Sequence, residues 1–171
     1  RHTITANGDV TNTRAQSKVG DSSIYFDGTG DYLSVPSSSD FNFGADDFTV
    51  EGWIYNGDFS TNSGLFASGG GRSWMLFFNN ATTKKLRVYL TDTSGSWNLQ
   101  DSIETDKTDW ADDTWYHIAM VRNSTTVKVY VDGSEDYSYT IGTTALCDGD
   151  GVYIGKNESS GTIYLDGYAD E

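Results

Sequence analysis

Hydrophobic and polar residues alternate most strictly between residues 114 and 133, in the sequence TWYHIAMVRNSTTVKVYVDG. Successive side chains of a β-strand point to opposite faces of a sheet, so this period of two predicts two strands. The polar stretch 123–125 lies between them and predicts a hairpin turn. The pair Asp132-Gly133 predicts a further turn directly after the second strand.

A second alternating stretch, residues 48–55, differs because it has bulky side chains on both of its faces. Such a strand is expected inside a sheet, where it is covered on both sides or lines a concave face. The two predicted faces are Phe48, Val50, Gly52 and Ile54 on one side, and Thr49, Glu51, Trp53 and Tyr55 on the other.

Shorter runs rich in β-branched and aromatic residues predict the remaining strands, separated by Gly, Asn and Asp turn signals. We expect the run 31–35 to pair with 23–27, Asn7-Gly8 to form a hairpin turn, and one helical turn near Phe41. The pattern predicts an all-β fold, an antiparallel two-sheet sandwich of about a dozen strands. The further predicted strands are 2–6, 23–27, 31–35, 64–68, 74–78, 86–90, 137–141, 151–155 and 162–168.

The balance of charge restricts the partners of this chain. It has 25 acidic and 11 basic residues among 171, a formal net charge of −14. Such a field repels phosphate backbones and anionic lipid surfaces, so we expect neither nucleic acid binding nor membrane insertion. The acidity is explained either by solubility or by carboxylates that hold cations.

The length predicts a single domain spanning residues 1–171, long enough to bury a core without disulfides. Cys147 is the only cysteine, which excludes a disulfide framework and a cysteine-based zinc site. The sequence opens in mid-pattern and stops on Ala-Asp-Glu. We therefore expect a fragment of a longer polypeptide.

Five segments in this order and spacing resemble one family: SIYFDGTGDYLSVP, DDFTVEGWIY, DTWYHIAMVRNSTTVKVYVDG, VYIGKN and YLDGYADE. Together they resemble the laminin-G-like, concanavalin A-like jelly-roll domains, including copies in marine phage and bacterial surface proteins. The resemblance covers nearly the whole chain. It implies a jelly-roll sandwich of two curved sheets, lacking here its first and last strands, so that a neighbouring domain or subunit completes the sheet edges.

The resemblance also implies a calcium site. Many members hold a structural calcium between a carboxylate of the last strand and carbonyls near the first strands. On this sequence that points to Asp170, with Asp27, Gly28 and Asp31. The alternative is that Asp27 and Asp31 only cap turns. A second candidate is the loop 148–150.

Catalytic residues are not evident. A glycosidase needs two carboxylates about 5–10 Å apart. Glu51 is alone on its strand, and Asp166 and Asp170 share a face but lie about 13 Å apart along a strand. His117 is interpreted as a packed strand residue. We therefore expect no enzyme activity.

Sugar binding needs aromatic ring faces with a few polar groups. The candidates for glycan contact are Trp53, Tyr55, Trp74, Trp97 and Arg72. The alternative for each tryptophan is a place in the core.

The expected function is a non-catalytic carbohydrate-binding or adhesion module of a surface, secreted or virion protein, possessing a calcium cofactor if the implied site is real. Its partner would be a glycan or a protein surface. The alternative is a structural or assembly module, such as a phage decoration or fibre domain or a filament subunit, without a sugar site. A fold of this kind hosts many functions and chooses none by itself.

Overall fold

Two antiparallel sheets face each other in the computed structural model, which describes residues 1–70, 72–79, 83–157 and 163–171. The strands are β1 (Thr5–Asn7), β2 (Thr11–Thr13), β3 (Ser23–Asp27), β4 (Tyr32–Pro36), β5 (Phe48–Asn56), β6 (Ser63–Ser68), β7 (Trp74–Asn79), β8 (Lys85–Leu90), β9 (Gln100–Glu104), β10 (Thr114–Asn123), β11 (Thr126–Val131), β12 (Ser134–Thr140), β13 (Gly151–Ile154) and β14 (Asp166–Asp170). A single 3₁₀ turn, Ser39–Phe41, is the helical element of the described residues, at the predicted place.

Sheet 1 has the strand order β1-β4-β13-β6-β7-β8-β9, and sheet 2 has the order β12-β11-β10-β5-β14-β3-β2. This is the predicted all-β fold, an antiparallel jelly-roll sandwich of two sheets. The start of the predicted strand 162–168 at Thr162 lies outside the described residues, and β14 begins at Asp166.

The hairpin predicted from alternation is confirmed, and so is the turn predicted after it. β10 pairs with β11 up to Asn123 opposite Thr126, and β11 pairs with β12. Asp132 and Gly133 both have positive φ, 50° and 78°, the backbone that a tight turn between twisted strands requires. β5 lies between β10 and β14, as expected for a strand with bulk on both faces.

The core lies between the sheets and is built from alternate residues of the central strands. Trp74, Leu76 and Phe78 of β7 face the inward residues of β10, among them Ile118 and Met120, and all are almost fully buried. Such burial is the main favourable term in folding a sandwich.

Two pairing predictions near the N-terminus are wrong. β3 belongs to sheet 2 and pairs with β2 and β14, whereas β4 belongs to sheet 1 and pairs with β1 and β13. Residues 28–31 therefore cross from one sheet to the other instead of closing a hairpin. Asn7-Gly8 likewise joins strands of different sheets.

Two strands form where the sequence shows no strand pattern. β2 lies within 10–20 and β9 within 92–113, both polar stretches. Each is an outermost strand of its sheet, where one edge and one face remain open and little apolar area is available to impose alternation.

Candidate functional site

The residues predicted to hold a glycan do not form one site. Trp53 and Tyr55 alternate with buried Ile54 and so lie on the outer face of sheet 2. Trp97 and Arg72 lie beside sheet 1, on the opposite side of the sandwich. The structure therefore offers two separate aromatic surfaces.

Trp74 is not available to a ligand at either surface, which corrects its prediction as a glycan contact. Its exposed fraction is 1%, and its ring stacks on Phe43 with centroids 5.8 Å apart. It lines a cavity of about 560 Å³ between the sheets, whose walls also include Phe66, Val152 and Ile154. These mostly apolar walls do not match the hydroxyl groups of a sugar.

The outer face of sheet 1 carries aromatic residues in register. β13 sets Tyr153 beside Ser34 of β4 and beside Ala67 of β6. Across the next strands, Ala67 opposes Met75 and Met75 opposes Tyr89. Neighbouring strands lie about 4.8 Å apart, so Tyr153 and Tyr89 are separated by about 14 Å.

At the β4 end of this outer face of sheet 1, Tyr32 and Tyr153 form a polar depression that we term the tyrosine cleft. Their ring centroids are 5.6 Å apart at an interplanar angle of 85°. The Nζ atom of Lys156 lies 4.5 Å from the Tyr32 centroid and 4.9 Å from that of Tyr153. The cleft has a volume of about 310 Å³ and is lined by Thr3, Thr5, Tyr32, Ser34, Val35, Pro36, Asp150 and Tyr153.

At the other end, Trp97 packs on Tyr89 with ring centroids 5.4 Å apart, over the buried residues Met75 and Phe77. The Arg72 guanidinium lies 5.9 Å from the Trp97 ring centroid and donates from Nη1 to the carbonyl oxygen of Gly95 at 3.0 Å. Thus two of the separately predicted contact residues, Trp97 and Arg72, lie together. They lie on the same side of the sandwich as the tyrosine cleft.

The outer face of sheet 2 carries what we term the aromatic row, Tyr25, Tyr168, Tyr55 and Trp115. Register places them side by side on the neighbouring strands β3, β14, β5 and β10. Consecutive ring centroids are 5.0, 5.3 and 5.4 Å apart. All four side chains are half-buried. Tyr55 was predicted as a contact residue, but Tyr25, Tyr168 and Trp115 emerge only from the register.

Beside the aromatic row is an acidic row, Asp27, Asp166 and Asp113. Asp27 is the register partner of Asp166, and the N–H of Gly57 donates to the Asp166 carbonyl oxygen at 3.0 Å. Partial desolvation by neighbouring groups, together with the charges of Asp27 and Asp58, raises the pKa of Asp166 above its ordinary value, although the side chain is largely exposed. Burial and the adjacent Asp113 carboxylate likewise raise the pKa of Tyr55.

Replacing Asp166 with asparagine should raise the melting temperature at pH 7 by about 1–2 °C, a small effect because the side chain is exposed. A raised folded-state pKa means that ionisation of Asp166 costs stability as pH rises from about 3.9, the ordinary value, through the folded-state value. The gain should therefore vanish near pH 3. Thermal unfolding at both pH values checks this, with Asp21→Asn as the control. A variant less stable than wild type at pH 7 would contradict it.

The facing carboxylates of Asp27 and Asp166 have one property of glycosidase pairs, a raised pKa on one partner. Both side chains are exposed at a strand end, and Asp27 Oδ1 accepts the Thr29 N–H at 2.7 Å in a local turn. His117 Nε2 lies 3.5 Å from a Glu51 oxygen, further along the sheet. The sequence analysis compared Asp166 with Asp170, which lies four residues away on the same strand. It did not identify Asp27, which faces Asp166 from the neighbouring strand.

The implied calcium ligands do not fit a cation. Asp31 is 1% exposed, and its oxygens accept the backbone N–H groups of Asp9 at 2.6 Å and Asp27 at 3.0 Å. Asp170 Oδ2 accepts those of Lys18 and Val19 at 2.8 and 2.9 Å. These N–H groups occupy part of the acceptor capacity of each carboxylate, which leaves fewer lone pairs for a metal.

These groups are also far apart. The partner of Asp27 on β14 is Asp166, and Asp170 lies four residues beyond it, about 13 Å along the strand. Gly28 is at the Asp27 end, where its N–H donates to the Leu165 carbonyl oxygen at 3.0 Å. Within the ranges that the structure describes, no group of three or more His, Cys, Asp or Glu side chains could hold a metal. This includes the second candidate, the loop 148–150.

Cys147 is not placed as a nucleophile. Its Sγ donates to the carbonyl oxygen of Arg72 at 2.8 Å, and burial raises the pKa of its thiol. A thiol with a raised pKa forms little of the reactive thiolate at neutral pH. Its role is to join the loop after β12 to the segment before β7.

The family model described as the concanavalin A-like lectin/glucanases superfamily matches residues 27–171. The chain belongs to this superfamily. No curated protein matches it. As in other members of the superfamily, the fold itself leaves the ligand open. No helix in the described ranges is both long enough and apolar enough to cross a membrane.

Solved structures share the superfamily fold at low sequence identity. The binding domain of Paraclostridial Mosquitocidal Protein 1 has a TM-score of 0.71 and 18% identity over 98% of this chain and 43% of that one. The botulinum neurotoxin serotype D ligand-binding domain, solved with N-acetylneuraminic acid, has a TM-score of 0.68 and 16% identity over 99% of this chain and 39% of that one. This chain thus spans less than half of either domain.

A third structure is domain 4 of AbnA, an extracellular arabinanase from Geobacillus stearothermophilus, in complex with arabinotriose. It has a TM-score of 0.65 and 18% identity over 99% of this chain and 79% of that one. Identities this low establish a shared fold. The ligands of these proteins belong to those proteins.

Proposed function

We propose that this chain is a non-catalytic carbohydrate-binding module that holds a glycan in the tyrosine cleft. The carrying observation is that two tyrosine rings, hydroxyl side chains and the Asp150 carboxylate meet in one open depression. Ring faces pack on the C–H surfaces of a sugar, while hydroxyls and a carboxylate accept and donate its hydrogen bonds. Domain 4 of the arabinanase, which shares this fold, was solved with the neutral sugar arabinotriose, and this supports the proposal.

The ligand is a neutral glycan. The net charge of −14 and the Asp150 carboxylate in the wall of the cleft disfavour sialylated, uronic or sulfated chains. The Lys156 ammonium already contacts both rings. It is therefore less available to pair with an anionic group of a glycan. The protein would work outside the cell, in keeping with an arabinanase of this fold that is extracellular.

Replacing Tyr153 with alanine should weaken glycan binding by about tenfold or more, because an aromatic anchor in a binding pocket commonly contributes at least 1.4 kcal/mol. The measurement is a glycan array followed by calorimetry on the best ligand. Tyr130→Ala, on β11 of the opposite sheet, is the matched control and should bind as wild type.

A second variant, Trp97→Ala, tests how far the glycan extends. Trp97 packs on Tyr89, about 14 Å from Tyr153 across the strands, so the variant should weaken oligosaccharides and spare monosaccharides. Unchanged affinity in Tyr153→Ala would place the site elsewhere. An array with no bound glycan would overturn the function itself, and release of shortened sugars would show an enzyme instead.

A further inference from the structure

The aromatic row lies on the sheet opposite to the tyrosine cleft, so it needs an explanation of its own. Its four rings are half-buried, although they lie on the outer face of their sheet. The alternate residues Ile54, Phe26 and Ala169 already supply the core on the inner side. A run of half-exposed aromatic side chains across four strands is typical of a contact surface.

The rings are not coplanar. Tyr25 and Tyr168 are inclined at 47°, Tyr168 and Tyr55 at 84°, and Tyr55 and Trp115 at 59°. With centroids 5.0–5.4 Å apart, neighbouring rings are in contact, so a planar group can lie on their exposed parts but cannot enter between them.

The acidic row determines the charge of that group. Asp27, Asp166 and Asp113 lie directly beside the rings, and all three are exposed. The Asp113 carboxylate contributes to raising the pKa of Tyr55, so its charge acts on this ring. A guanidinium is planar, stacks on aromatic faces and forms paired hydrogen bonds with carboxylates, so it matches both rows.

The same sheet face already uses this chemistry within the chain. Lys18 Nζ lies 4.4 Å from the ring centroid of Trp53, which is two residues before Tyr55 on the same face of β5. Among the cation–π contacts of the described residues, none involves the four rings of the aromatic row. Those rings therefore remain accessible to a cation from another molecule.

We propose that the aromatic row and the acidic row together bind an arginine-rich segment of a partner protein. Guanidinium groups lie on the exposed parts of the rings and pair with Asp27, Asp113 and Asp166. The carboxylate charge attracts the segment, and the rings discriminate arginine from lysine. This surface is independent of the glycan site, because it lies on the other sheet.

The test uses a fluorescent nine-residue peptide of alternating arginine and glycine, with a lysine version of the same length, measured by anisotropy. The wild-type protein should bind the arginine peptide at least about threefold more tightly than the lysine peptide, because a planar guanidinium stacks on the rings and forms paired hydrogen bonds with carboxylates, whereas an ammonium acts as a point charge. Equal binding of the two peptides would mean attraction by net charge alone and would overturn the proposal.

Two double variants distinguish the contribution of the aromatic row from that of the acidic row. Tyr55→Ala with Tyr168→Ala removes rings without changing charge, and Asp113→Asn with Asp166→Asn removes charge without changing volume. Each should weaken the arginine peptide by about tenfold. The matched control, Asp21→Asn with Asp46→Asn, makes the same charge change at exposed positions and should change binding less than about twofold.

Circular dichroism establishes that each variant is folded. If Tyr55→Ala with Tyr168→Ala unfolds, the variant Asp113→Asn with Asp166→Asn tests the proposal by itself, because asparagine has nearly the same volume as aspartate. A loss as large in the control as in Asp113→Asn with Asp166→Asn would overturn the proposal. So would tighter binding of a glucosamine oligosaccharide than of the arginine peptide, since the surface would then recognise a cationic glycan.

Discussion

Replacing Arg122 with methionine should lower the free energy of unfolding by about 3–5 kcal/mol, the largest effect that we expect from a single substitution in this chain. Arg122 lies near the C-terminal end of β10, and only 1% of its surface is exposed. Its guanidinium donates to carbonyl oxygens of three loops: Nε to Ser124 at 3.2 Å, Nη1 to Gly44 at 2.9 Å, and Nη2 to Gly142 at 3.2 Å and to Thr144 at 2.9 Å. Methionine fills most of the volume but leaves these oxygens without a donor.

Urea denaturation and thermal unfolding measure this loss, which corresponds to a decrease of about 10–15 °C in melting temperature. Arg122→Lys should recover part of it, because an ammonium keeps the charge but cannot reach all of the carbonyl groups. Arg14→Met, at an exposed position, is the control and should stay within about 0.5 kcal/mol of wild type. A loss below about 1 kcal/mol in Arg122→Met would contradict the assigned role.

Asp31→Ala should be the second most damaging change, at about 3 kcal/mol. The buried carboxylate accepts N–H groups from Asp9 and Asp27 at the point where the chain crosses between the sheets. Alanine leaves both part-buried N–H groups without this acceptor. Asp31→Asn should cost less, because an amide oxygen still accepts one of the two.

The calcium dependence of the same variants distinguishes the two interpretations of Asp31. If Asp31 only orders a turn, its replacement should destabilise the protein equally in calcium and in chelator. A metal ligand would make wild type more stable in calcium, and Asp31→Ala would abolish that gain. The expected result is the same loss in both media. Asp21→Ala, at an exposed position, should change nothing in either.

Some features of the site could have been found in the sequence. Arg122 follows Tyr116, Ile118 and Met120 at the same two-residue spacing, so a charge on the inward face was visible and required a buried partner. Tyr153 was visible only as one residue of a predicted strand. Its neighbour Tyr32 comes from a strand more than a hundred residues earlier, and no local pattern joins them.

Alternation along the chain determined the all-β class, the long central hairpin and the inner position of β5, because side-chain direction in a strand is a local property with a period of two. Which strands share a sheet depends on pairing between distant segments, and this only the tertiary structure decided. In the tertiary structure, β3 and β4 belong to different sheets and Asp170 lies far from Asp27. Trp97 and Trp53 lie on opposite faces of the sandwich. Binding surfaces are assembled across strands, and the local pattern of any one strand carries no information about its neighbours.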